Sequence, residues 1–75
     1  ATPAVRNGAH EVAVASFLQG KISFPEIVAI VSETAAATGS VAAPATLEEA
    51  EEIDGMARRR ASEITHRLSR AAVAN

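Results

Sequence analysis

The chain has no cysteine, no tryptophan and no tyrosine, and its two phenylalanines bring aromatic content to only 3 % of 75 residues. Without cysteine there is no disulfide framework and no thiolate metal site, which suits a reducing compartment and a cytoplasmic location. Without Trp or Tyr the core must be assembled from Val, Ile, Leu, the two Phe and many Ala, small side chains that let helices approach closely but bury little area each. No apolar run approaches the roughly 20 residues needed to cross a bilayer. Positive charge is also scarce: the net charge is −2 and no basic patch is interleaved with aromatics, which argues against nucleic acid or anionic membranes as partners. There is no glycine-rich phosphate loop, no nucleophile elbow and no H-E-x-x-H. The first residues lack an initiator Met, a basic n-region and an apolar h-region, so the start reads as cut rather than begun.

What is present is 48 % hydrophobic and 21 % charged, a balance that places all 75 residues in one small globular domain near the lower size limit for an uncrosslinked core. The strongest local signals lie between Asn7 and Val31 and predict a helical hairpin. Gly20 is the natural residue for the left-handed position past a helix end. Ser23-Phe24-Pro25-Glu26 is a capping box with Pro in the first turn, and Ile22 and Ile27 are placed as a hydrophobic staple. Residues 1–6 read as an extended lead-in, because Pro3 disfavours helix at Thr2 and Val5 is β-branched, and Asn7 reads as the first N-cap. The first helix carries its apolar stripe on Ala9, Ala13 and Phe17, with Val14 and Leu18 alongside. It is apolar nearly all round, as befits a helix that is central or docked on something outside the domain.

A second helix runs from Phe24 to about Ala37 and ends at Gly39, with Ser40, Val41-Ala42-Ala43 and Pro44 as connector. Thr46-Leu47-Glu48-Glu49 is another capping box. The stripe beyond it, Leu47, Ala50, Asp54, Ala57, Ala61, Ile64 and Leu68, contains one polar intruder, Asp54, followed by Gly55. Asp54 therefore reads as the N-cap of a fresh helix, separating a short third (about residues 47–53) from a long fourth (about 55–71), with one kinked helix as the alternative. The predicted fold is all-α, a small four-helix bundle: a two-helix hairpin plus a short and a long helix, with residues 71–75 fraying. Asp54 with Arg58, Arg59 with Glu63 and Glu63 with Arg67 are spaced four apart for ion pairing.

Three groups carry possible chemistry. Glu63 and His66 form the E-x-x-H pair of carboxylate-bridged di-iron bundles, but such sites need a second pair and further carboxylates, and this pair lies off the apolar stripe. His10 and Glu11 are adjacent and point about 100° apart on a helix, so the expectation is an exposed or interface histidine. Arg58-Arg59-Arg60 suits oxyanion binding in principle, yet the acidic run before it favours a solvated, self-paired face. The residues alone predict no catalytic, cofactor-binding or metal-binding residue.

The order Pro3-Ala4-Val5-Arg6-Asn7-Gly8-Ala9-His10-Glu11-Val12-Ala13-Val14-Ala15-Ser16-Phe17-Leu18-Gln19-Gly20-Lys21-Ile22 resembles the C-terminal helical domain of 1-deoxy-D-xylulose 5-phosphate reductoisomerase, where N-x-A-N-E-x-A-V-x-x-F-L-x-G-x-I is typical. The likeness continues through Phe24, Ile27-Val28, Thr46-Leu47-Glu48-Glu49, Ile53-Asp54 and Ala57-Arg58. It departs at His10, where the pattern has Asn, and at Glu51, where it is usually apolar. The resemblance implies a parent enzyme of non-mevalonate isoprenoid biosynthesis, an oxidoreductase that uses NADPH and Mg²⁺ or Mn²⁺ and acts as a homodimer. It implies for this chain a structural bundle that packs on the catalytic domain, and it transfers no site residue. Two other readings compete: an independent α-helical protein–protein interaction module, and a metal-binding bundle using Glu63 and His66.

Overall fold

The computed structural model describes residues 3–39 and 43–74. It contains α1 (Pro3–Leu18), α2 (Phe24–Ala37) and α3 (Leu47–Ala74), and no strand among the described residues. The all-α expectation holds, but there are three helices where four were expected. The spine is α3. Its 28 residues amount to about 42 Å at 1.5 Å per residue, close to the longest molecular extent of 44 Å. The α1–α2 hairpin lies along it, with α1 in contact with both other helices.

The hairpin turn is set by local chemistry. Gly20 has φ +74°, its N–H donates to the Phe17 carbonyl at 3.0 Å, and the Lys21 N–H donates to the Ser16 carbonyl at 3.0 Å. This 5→2 and 6→1 pair is the Schellman motif, which needs a residue without Cβ at the left-handed position. On the far side, Ser23 is extended (φ −84°, ψ 163°) and its N–H donates to Glu26 Oε1 at 2.7 Å, with Pro25 in the first turn of α2. Ile22 and Ile27 are both buried in one core cluster, as the staple requires. The second box is displaced by one residue: the Glu49 N–H donates to Thr46 Oγ1 at 3.1 Å, but the Glu49 carboxylate accepts from the Ala45 amide, not from that of Thr46.

The core has two parts. Ala9 and Ala13 of α1, Ile22, Ile27 and Ile30 of the turn and α2, and Ala61 and Ile64 of α3 form the larger cluster. Val5, Ile53 and Ala57 form the smaller one nearer the other end. The stripe Val5, Gly8, Ala9, Ala13 opposes Ala57 and Ala61, so mostly small residues line the crossing of α1 and α3 and their backbones come close. Close contact there compensates in dispersion for the small area each alanine buries.

Several sequence expectations are corrected by this packing. The lead-in at residues 1–6 is helical from Pro3 onward: Pro is compatible with a first turn, and Val5 is fully buried against Ile53 and Ala57. Asn7 is consequently inside α1, not its cap. Asp54 starts no new helix, because α3 runs unbroken through Asp54 and Gly55, carried by the burial of Ile53 and Ala57 on either side. The backbone helix runs to Ala74, past the end expected near Ala71. Leu47, placed on the apolar stripe, is 76 % exposed. Ala1, Thr2, the connector residues Ser40, Val41 and Ala42, and Asn75 lie outside the described residues.

Candidate functional site

The most distinctive surface is a groove of about 500 Å³ between α1 and α2. On α1 it is lined by Arg6, His10 and Val14, one turn apart, and on α2 by Phe24, Ile27, Val28, Val31 and Ser32, again at helical spacing. Its floor is apolar and its α1 rim carries one cation, Arg6, beside the imidazole of His10. Phe24 is 69 % exposed and Val28 67 %, although burying either would be worth about 1.5–3 kcal/mol. Phe24 is oriented by an edge-to-face contact with Phe17, with ring centroids 5.6 Å apart. Leu18, 76 % exposed, ends α1 beside the same turn. No carboxylate lines the groove, and neither Arg6 nor His10 takes part in an ion pair among the described residues.

A polar clasp explains Asp54. Arg58 donates from Nε to Asp54 Oδ2 at 2.8 Å and from Nη2 to the Glu11 carboxylate, tying α3 to α1. Gly8 makes room for it, since a Cβ there would lie 2.9 Å from Asp54 Oδ1. A second clasp ties α3 to α2, where Arg67 Nη2 donates to both carboxylate oxygens of Glu33 at 2.9 and 2.6 Å. These bonds hold the guanidinium of Arg58 above the usual arginine range, Glu11 more than Asp54, and Glu33 does the same for Arg67. Arginine is in any case charged throughout neutral and alkaline pH, so both clasps keep their cation there.

The other sequence-marked residues do not converge. Glu63 and His66 are exposed, and Glu63 pairs with Arg60 at 3.9 Å rather than with Arg59 or Arg67. No group of three or more His, Asp or Glu side chains among the described residues is placed to hold a metal. His10 is exposed on the groove rim while Glu11 turns to Arg58, so the adjacent pair is split between two surfaces. Of the arginine triplet, Arg58 pairs with Asp54 as expected and also with Glu11 of α1, while Arg60 pairs with Glu63 beyond the triplet and not with the acidic run before it. The groove was not foreseen as a site; its signals are the 6-10-14 spacing on α1 and the 24-28-31 spacing on α2. No helix among the described residues is long and apolar enough to cross a membrane.

The architecture thus defines a small all-helical domain with an uncovered apolar groove. Its kind is given by comparison: a family model described as DXP reductoisomerase C-terminal domain matches residues 1–60, and the chain belongs to that family. A 1-deoxy-D-xylulose 5-phosphate reductoisomerase of Corynebacterium diphtheriae is 45 % identical over 69 residues, 91 % of this chain and 18 % of the relative. One of Desulforamulus reducens is 48 % identical over 62 residues (83 % and 16 %), and one of Ralstonia nicotianae 48 % over 59 (79 % and 15 %). The chain thus spans less than a fifth of the length of these curated relatives. No solved structure matches it significantly.

Proposed function

We propose that this chain is the C-terminal helical domain of a 1-deoxy-D-xylulose 5-phosphate reductoisomerase, which packs on and supports the catalytic domain and does no chemistry itself. The observation that carries the reading is the apolar groove left open on a domain that spans less than a fifth of its relatives. A domain built to lean on a larger body exposes such a face when taken alone. In this reading the parent is a cytoplasmic homodimeric oxidoreductase of non-mevalonate isoprenoid biosynthesis, and NADPH and Mg²⁺ or Mn²⁺ bind elsewhere in it. Among the described residues no group of three His, Asp or Glu side chains is gathered for the metal, Glu63 being paired with Arg60, and the sequence carries no glycine-rich phosphate loop for the nucleotide.

The test is an NADPH-oxidation assay on the 75-residue chain with Mg²⁺ or Mn²⁺ and the sugar phosphate. The expected result is no turnover, and removal of the same residues from the parent should lower its melting temperature. Turnover by the short chain, or a parent indifferent to the deletion, would overturn the reading.

A further inference from the structure

We infer that the α1–α2 groove is the docking face, and that its occupant is a segment of the parent polypeptide that presents apolar side chains together with a carboxylate. The inference rests on the proposed function and adds the surface and the chemistry of the partner. Two observations select this face. Phe24 and Val28, two of the four large apolar side chains exposed among the described residues, line it, whereas the outer side of α3 around Arg58, Arg59, Ser62 and Glu63 is charged and half paired with itself.

Charge selects the occupant. Arg6 stands on the rim beside His10 without an acidic neighbour in the lining, in a chain whose net charge is nonetheless −2. A two-fold pairing of this groove with itself would bring no carboxylate to Arg6, because the lining holds none. An occupant from elsewhere can bring the missing negative charge and bury Phe24 and Val28 in the same step. Covering a charged rim group favours a partner with the opposite charge, because an unpaired buried cation is costly. With less than a fifth of the relatives' length represented here, the rest of the parent offers ample chain for this contact.

The experiment uses the full-length polypeptide carrying this segment, with a single thiol introduced at Val28, Leu47 or Ser62. Labelling at each site is read by peptide mass spectrometry against the same variant in denaturant. The expected result is that Val28→Cys labels about tenfold or more slowly when folded, while Leu47→Cys and Ser62→Cys stay fast. Arg6→Glu should then restore fast labelling at Val28→Cys and Arg6→Lys should not. Protection at Leu47 with Val28 free would overturn the inference while leaving the proposed function standing. Three sites that all label as in denaturant would overturn both. Protection at Val28 indifferent to Arg6→Glu would overturn the carboxylate and with it the stated occupant. Arg6 is exposed, so the charge reversal should leave the helicity of the short chain unchanged, a control read by circular dichroism.

Discussion

At the scale of single residues, the informative positions are those where a side chain is missing or unpartnered. Gly8 permits the close crossing of α1 and α3, and an added Cβ would meet a carboxylate oxygen at 2.9 Å but backbone no nearer than 3.5 Å. Gly8→Ala should therefore be close to neutral, since about 1 kcal/mol of helix preference offsets displacement of the Asp54 carboxylate. Gly8→Leu should cost about 2 kcal/mol or more in urea unfolding, because the backbones must separate. The buried Thr34 of α2 and Thr38, which caps its C-terminal end, make an opposed pair. Thr38 donates its hydroxyl to the Thr34 carbonyl at 2.9 Å, whereas the Thr34 hydroxyl is buried without a partner. Thr34→Val should stabilise the domain by about 1 kcal/mol, and Thr38→Val should destabilise it by a similar amount.

At the scale of helices, two glycines report on the two kinds of boundary. Gly20→Ala forces a Cβ into the left-handed region with no clash to relieve, so it should cost about 1 kcal/mol, the strain of that backbone alone. Gly55→Ala should do the reverse and stabilise by about 1 kcal/mol, because Gly55 is inside α3 and its Cβ would meet only the mobile end of Arg59. A loss of stability in Gly55→Ala would instead point to a helix boundary at Asp54. These glycines also show what sequence can disclose. The turn at Gly20 and the box at Ser23 were legible because they are decided within six residues by capping chemistry. A break was expected at Asp54 although its pairing with Arg58 was legible, because what makes Asp54 useful inside α3 is distant: Arg58 also reaches Glu11 across the α1–α3 crossing. Helix at Val5 was missed for the same reason, its partners Ile53 and Ala57 being some fifty residues away. The groove was half legible, since the all-round apolarity of α1 announced a second contact without showing that Arg6 and His10 form its rim.

At the scale of the whole molecule, the radius of gyration of 12.5 Å exceeds the roughly 11 Å expected for a compact domain of this length. A long spine with a shorter hairpin on it leaves the outer side of that hairpin uncovered, and there the groove lies. The shape, the exposed Phe24 and Val28, and a family match to one terminal domain are what the proposal of a docked domain rests on. The most direct test is the size of the native polypeptide in the source cells, detected with an antibody raised against this segment. The account predicts a band several times larger than this chain, in keeping with relatives of which it covers 18 % or less. A band at 7.7 kDa would contradict it and make the chain a free-standing module whose partner is another protein.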